Sequence, residues 1–265
     1  MIKLFVSDLD GTLLDHQKEV SDKDIEALKH LKKSGVDICL ASGRMDVEIG
    51  EILTKIGEKY HRISQNGAFI NTDSDESLHA LTFESVIAQE VFDVVRAEDF
   101  LTIVADYSTN YTERRNEAVT SIESRMFAPI TENEQLAEGI GRDIKASKIS
   151  ILGEYESLLP LQKKLRERYP DTIETYISDS QCLDIMPKHI SKGNALQMLI
   201  QHLDIAPSEI ACIGDSFNDI PMFRLTPFSF AMENALPEVK KEAAYTAASV
   251  GDAILKVMEI NDNNG

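Results

Sequence analysis

The run Ile2 to Val6 is apolar except for Lys3 and stops at Ser7-Asp8-Leu9-Asp10-Gly11-Thr12, where two carboxylates and a glycine interrupt it. Such a run reads as a short buried strand whose end delivers Asp8 and Asp10 to an edge. In a central parallel strand, that edge opens on the crevice where α/β sheets bind ligands. Taken alone, Asp-x-Asp-Gly is equally a polar strand end leading into a turn. Only the other strand ends of the chain can decide between the two.

The next elements repeat the pattern. Ser21 suits a helix N-cap with Asp24 three residues on, Val20 can pack against Ile25, and Ile25, Leu28 and Leu31 share a face that ends at Gly35. Val36 to Leu40 is a second buried strand. A right-handed crossover makes the two strands parallel and brings both ends to one edge, where Ser42-Gly43-Arg44 succeeds the second strand. A serine with a glycine there is also a common turn. Met45 to Ile56 reads as a helix, Arg62 to Ser64 as a strand, and Ala68 to Ile70 with Leu78 to Phe83 as a hairpin across the polar tip Asn71 to Asp75.

Much later, Glu209 to Ile213 forms another core strand, running into Gly214-Asp215-Ser216-Phe217-Asn218-Asp219. Before it, Ser191 can cap a helix with the apolar face Ala195, Leu196, Leu199, Ile200 and Leu203, which puts Lys192 in the first turn. A cation there opposes the helix dipole by roughly 0.3–1 kcal/mol. An anion held at that helix end would account for it, and a solvated lysine is the alternative. Phe228 to Met232 is a last or next-to-last strand, Val250 to Ile260 a closing helix, and Asn261 to Gly265 a disordered tail.

Between these halves the rhythm changes. Ser85 to Glu98 and Leu158 to Tyr169 are helical by spacing, with Pro160 near the start of the second. Leu101 to Tyr107, Ser147 to Leu152, Thr172 to Ile177 and Gln181 to Ile185 read as strands, the last two as a pair. Residues 108–146 resist reading beyond a helix around Asn116 to Arg125. The expected architecture is an α/β fold: a Rossmann-like core with a central parallel sheet, built from residues 1–83 and 187–265. Residues 84–186 would form an inserted α+β module with a mainly antiparallel sheet.

Composition narrows the partners. A formal charge of −18 without a basic stripe argues against nucleic acid, and no apolar run approaches the length of a membrane span. Cys39, Cys182 and Cys212 lie in apolar strand-like runs, without the spacing of a zinc site or a disulfide framework. With no signal-peptide pattern, buried thiols in a cytoplasmic protein are expected. The sequence leaves monomer and homodimer both open.

If the strand ends converge, Asp8, Asp10, Asp215 and Asp219 share one crevice. Two like charges ~4 Å apart repel by ~4 kcal/mol at an effective dielectric near 20, so the cluster calls for a cation. Hard oxygen ligands point to Mg²⁺ or Ca²⁺, and a hydrated site with an anionic substrate favours Mg²⁺. The Ser42 hydroxyl, Gly43 amide, Lys192 ammonium and Asn218 amide suit an anion. Together these are the parts of a phosphoryl-transfer site.

Asp8-Leu9-Asp10-Gly11-Thr12, Ser42-Gly43-Arg44, Lys192-Gly193 and Gly214-Asp215-Ser216-Phe217-Asn218-Asp219 resemble, in order, the four signature motifs of the haloacid dehalogenase-like hydrolase superfamily. The position of the insertion, Asn66-Gly67-Ala68 and the approach Leu183-Asp184-Ile185 to Ser191 are similar to its Cof-type, or type IIB cap, branch. The resemblance implies an Mg²⁺-dependent phosphatase for small phosphorylated metabolites, such as sugar phosphates. Asp8 would be the nucleophile that forms an aspartyl-phosphate, and Asp10 the acid and then the base. It also implies Mg²⁺ on Asp8, the Asp10 carbonyl and Asp215, with Asp219 orienting them. Leu9, Ser42, Gly43, Lys192 and Asn218 would hold the phosphoryl group.

Three other readings compete. A hexose-phosphate mutase would use the same fold, a non-catalytic phosphometabolite sensor could dispense with Asp8, and a receiver domain leaves Asp215 and Asp219 without a role. Substrate choice is expected from the insertion, where Arg114, Arg115 and Arg125 could reach a second anionic group. His189 could border the crevice, and hinges near Glu84 and Pro187 would let a cap close.

Overall fold

The computed structural model describes residues 1–124, 126–179 and 181–263. The chain divides into two compact units, one of residues 1–44, 49–79 and 191–265 and one of residues 45–48 and 80–190. In chain order the first unit opens with β1 (Leu4–Ser7), α1 (Asp22–Lys33), β2 (Asp37–Ala41), α2 (Asp46–Ile56) except its first three residues, β3 (His61–Ser64), a short 3-10 turn Gln65–Gly67, β4 (Phe69–Asn71) and β5 (Ser77–Ala80) except its last residue. The second unit supplies α3 (Ser85–Arg96), β6 (Leu101–Ala105), β7 (Asn110–Thr112), α4 (Glu117–Glu123), β8 (Ile130–Glu132), α5 (Leu136–Gly139), β9 (Lys148–Leu152), α6 (Tyr155–Arg168), β10 (Ile173–Asp179) and β11 (Cys182–Pro187). The chain then returns to the first unit with α7 (Lys192–His202), β12 (Ile210–Gly214), α8 (Ile220–Phe223), β13 (Phe228–Met232), α9 (Pro237–Lys240), β14 (Tyr245–Ala247) and α10 (Val250–Asn263).

The first unit's sheet has the order β14-β13-β12-β1-β2-β3-β4-β5. From β14 to β3 every pairing is parallel, and β4 turns back antiparallel on β3. Parallel strands need both faces covered, which is why β1 and β12 are buried at every residue. Leu4 and Val6 pack with Ala195, Leu196, Leu199 and Ile200 of α7 and with Met222 and Phe223 of α8. Phe5 between them points to the opposite face, as the period of two requires. From β1 the chain winds outward through β2 and β3, whereas β12, β13 and β14 wind the other way. The order therefore reverses between β1 and β12, where Leu4 to Ser7 pair with Ile210 to Ile213. That reversal opens a crevice at the carboxyl ends of the two strands.

Both expected caps form. Ser21 Oγ accepts the Asp24 amide at 3.1 Å and Ser191 Oγ accepts that of Asn194 at 3.1 Å. The expected disordered tail is a correction: Asn261 to Asn263 continue α10, because Asn261 Oδ1 accepts the Ile2 amide at 2.5 Å and its Nδ2 donates to the Ile2 carbonyl at 3.0 Å. The last two residues of that tail lie outside the described residues.

The second unit's sheet has the order β10-β11-β9-β6-β7-β8, antiparallel except for the parallel pair β7 and β8. Ile149, Ile151, Leu183 and Ile185 pack with Val91, Phe92 and Val95 of α3 and with Leu158, Leu161 and Leu165 of α6. A smaller cluster gathers Ile103, Val119 and Ile130. Helix α6 begins a turn earlier than its spacing suggested, at Tyr155, so Pro160 lies inside it. In the stretch the sequence left open, Asn116 Oδ1 caps α4 by accepting the Val119 amide at 2.9 Å, and Glu123 Oε1 accepts the Ile130 amide at 2.7 Å. Cys39 and Cys212 are buried, and that burial pushes their thiols up. Cys182, expected to be buried, is only partly so, at the start of β11. Among the described residues no helix is long and apolar enough to cross a membrane.

Candidate active site

Asp8 comes directly after the last residue of β1, and its amide donates to the Ile213 carbonyl at 3.0 Å, so the parallel pairing itself fixes where the carboxylate stands. Asp215 succeeds β12 in the same way. Asp219 reaches back, its Oδ2 accepting the amides of Asp215 and Ser216 at 3.0 Å each. One oxygen from each of Asp8, Asp215 and Asp219 falls within 4.8 Å of the others. Two glycines make room for this. A Cβ on Gly214 would lie 2.3 Å from Asp219 Cγ, and one on Gly11 would lie 2.4 Å from Asp215 Oδ2, with Gly11 also at φ +82°.

Lys192, in the first turn of α7, bridges two of the three acids. Its Nζ lies 2.5 Å from Asp8 Oδ1 and 2.6 Å from Asp219 Oδ1. This lysine is buried, so it answers the helix-dipole question by ion pairing rather than by solvation. Burial works against its charge, but the Asp219 and Asp8 carboxylates outweigh that and raise its pKa. Burial dominates at Asp8 and pushes its carboxyl well above the usual range against the pull of Lys192. Burial first and the Asp219 charge second push Asp215 up to about 6. Three acids and one ammonium leave negative charge that a hard divalent cation would neutralise, and the donors gathered there are carboxylate oxygens.

A second acidic group, Asp37, His61 and Asp73, also lies close together. Lys32 already serves it, 2.8 Å from Asp37 Oδ1 and 3.4 Å from Asp73 Oδ2, and His61 Nδ1 accepts the Asp73 amide at 3.1 Å. The strand-end group is the better cation site.

Asp10 stands apart from the other acids. Arg44 Nε donates to its Oδ2 at 2.7 Å, and Arg44 and Lys18 reach Oδ1 at 2.8 and 2.5 Å. Its desolvation is outweighed by the Arg44 bond and charge and then by Lys18, so its carboxyl is held below the usual value. Leu9 is fully buried, which leaves its main chain as the part that can meet a ligand. Ser42 is buried, with its amide on the Ile63 carbonyl at 2.9 Å and its Oγ accepting the Arg44 amide at 3.1 Å. Asn218 is buried and donates through Nδ2 to Asn66 Oδ1 at 3.0 Å.

Sequence reasoning assigns no role to Thr12, whose hydroxyl donates to Asp215 at 3.2 Å, nor to Lys18, Arg44 and Asn66. Arg44 carries a signal, standing directly after Ser42-Gly43. Lys18 sits in an irregular loop at φ +62°, where no spacing marks it. In the second unit, Arg115 bonds Glu123 and the Ile130 carbonyl, and Arg114 is exposed beside a cavity of about 640 Å³. Arg125 lies outside the described residues. His189 is exposed at φ +67°.

Known proteins resemble this chain along nearly its whole length. The family model for haloacid dehalogenase-like hydrolase matches residues 5–258. The HMP-PP phosphatase of Serratia proteamaculans is 28% identical over 243 residues, covering 91% of this chain and 87% of that protein. The crystal structure of a haloacid dehalogenase-like hydrolase from Bacteroides thetaiotaomicron superposes with a TM-score of 0.84 at 26% identity, covering 97% of this chain and all of that one. TM0651 from Thermotoga maritima gives a TM-score of 0.84 at 27% identity, covering 98% of this chain and 97% of that one. The strand-end acids, their lysine and the matched sequence lead to one assignment: this chain belongs to the haloacid dehalogenase-like hydrolase family.

Proposed function

We propose that the protein is a Mg²⁺-dependent phosphatase of the Cof-type branch, hydrolysing small phosphorylated metabolites, sugar phosphates among them, through an aspartyl-phosphate on Asp8. The observation that carries this reading is the buried bridge of Lys192 between Asp8 and Asp219, with Asp215 beside it at the strand-order reversal. A phosphatase relative matched over nearly the whole chain supports it.

In this reading residues 1–83 and 187–265 form the catalytic core, and residues 84–186 form a cap that selects substrate. Asp8, the Asp10 carbonyl and Asp215 would hold Mg²⁺, with Asp219 keeping the loop in place through its two amide bonds. Once bound, the ion supplies positive charge to the phosphoryl oxygens and lets the acids stay ionised together. Leu9 through its main chain, Ser42, Gly43, Lys192 and Asn218 would meet the phosphoryl group.

An Asp8 carboxylate oxygen attacks phosphorus, the bond to the ester oxygen breaks, and Asp10 gives that oxygen its proton. Asp10 then takes a proton from water, which attacks the same phosphorus. Inorganic phosphate leaves and Asp8 is restored. Arg44 and Lys18 keep Asp10 ionised in this structure, the form needed for the second step. For the first step the pair has to loosen when substrate arrives. The reading also places the enzyme in the cytoplasm, acting on soluble phosphate esters.

The test is release of inorganic phosphate from an aryl phosphate and from a panel of sugar and nucleotide monophosphates, with Mg²⁺ or EDTA. Hydrolysis that requires Mg²⁺ and is abolished in Asp8→Asn is expected. Wild-type protein that leaves every substrate intact would overturn the reading.

A further inference from the structure

Gln65, Asn66 and Gly67 form a buried turn in which every residue has positive φ, +47°, +57° and +111°. Such a backbone is costly for Gln65, less so for asparagine and glycine, and persists where its surroundings fix it. Three segments do so here. The Gln65 amide donates to the Arg44 carbonyl at 2.8 Å and the Asn66 amide to the Ser42 carbonyl at 2.8 Å, pinning the turn to the loop after β2. The Asn66 carboxamide lies against Gly43, where an added Cβ would sit 3.3 Å from Asn66 Oδ1. That same oxygen accepts from Asn218 Nδ2 at 3.0 Å. Gly67 abuts the start of α7 so closely that a Cβ would lie 2.5 Å from the Ser191 carbonyl oxygen. One turn therefore touches the three segments that present Ser42 and Gly43, Asn218, and Lys192.

We propose that Asn66 is a positioning residue for phosphoryl binding, acting through Asn218. Asn218 Oδ1 is buried and has no partner among the described residues, so the bond to Asn66 is what sets the orientation of this side chain. By accepting one Nδ2 hydrogen, Asn66 leaves the other for an anionic ligand. The proposal rests on the phosphatase reading for its consequence and on the turn's geometry for its substance.

Asn66→Gly tests it cleanly, because glycine keeps a left-handed backbone while the carboxamide is removed. With an aryl phosphate as substrate, kcat/KM should fall roughly 10–100-fold in Asn66→Gly, as for outer partners of other catalytic ligands. In Asn66→Gly combined with Asn218→Ala it should fall no further than in Asn218→Ala alone. Independent losses that multiply in the double variant would overturn the proposal. The side-chain amide signal of Asn218 in ¹⁵N-labelled protein, identified by its absence in Asn218→Ala, gives a second readout. It should shift and exchange faster in Asn66→Gly. An unmoved signal would overturn the proposal whatever the kinetics. Wild-type protein inert toward the aryl phosphate would count against the phosphatase reading alone, and the amide signal would then decide whether Asn66 holds Asn218.

Discussion

Asp8 and Asp10 are two residues apart, yet their charges are neutralised in opposite settings. Lys192 lies between Asp8 and Asp219 with side-chain exposures of 1%, 6% and 0%. Arg44 and Lys18 meet Asp10 where its carboxylate is 40% exposed. Burial outweighs Lys192 at Asp8 and raises its pKa, whereas Arg44 and Lys18 outweigh the desolvation of Asp10 and lower its own. The same pairing of charges thus does two jobs. In the dry cluster the lysine is required for the acids to exist side by side. At the rim, the two cations choose the protonation state of a carboxylate that water could have served.

Lys192→Met is the harshest way to erase that contrast. It leaves two buried acids without their ammonium, and removing one partner of a buried pair costs about 3–5 kcal/mol. A loss of that size in denaturant titration is expected, along with the phosphate release. A variant as stable as wild type would mean that Asp8 and Asp219 never carry charge together, and the contrast with Asp10 would collapse.

Metal addition probes the same cluster more gently. The Asp215 carboxyl, pushed up to about 6 by burial and then by Asp219, favours the folded state when protonated. Its contribution is full below the unfolded value of about 3.9 and is lost as pH rises through the folded one. Bound Mg²⁺ would offset that loss. The increase in Tm on replacing EDTA with Mg²⁺ should therefore be larger at about pH 7.5 than at about pH 5.5. Equal increases at both would place the ion away from Asp215.

The dry cluster is the more legible of the two in the sequence. Its acids and lysine sit where apolar runs stop and a capped helix starts, and those local patterns also mark β1, β2, β12 and α7. The ring around Asp10 is legible only in Arg44, which stands directly after Ser42-Gly43, because Lys18 reaches the carboxylate from an irregular loop that no spacing marks. Asn66 finds Asn218 across 152 residues of chain, a contact no local period encodes. The stretch from β7 to α5 escapes for a related reason. Its elements are three to seven residues long, and side chains such as Glu123 on the Ile130 amide set their limits. At the other end of the chain, the Asn261 bonds to Ile2 order a segment whose composition reads as a tail.

The rim predicts smaller effects, and unequal ones. Arg44 makes a two-pronged contact with Asp10 from a side chain only 10% exposed, so Arg44→Ala frees that carboxylate to rotate and to protonate. A loss of roughly 10-fold or more in kcat is expected, with a Tm within a few degrees of wild type. Lys18 makes a single contact, at 34% exposure, from a flexible stem on a loop. Exposed pairs of that kind contribute about 0.2–1 kcal/mol, and Arg44 remains in place when Lys18 is removed. Lys18→Ala should therefore shift Tm by no more than about 2–4 °C and leave kcat within a few-fold. If Lys18→Ala proved as damaging as Lys192→Met, burial would not be what separates the two groups of acids, and the loop carrying Lys18 would have to belong to the reacting machinery itself.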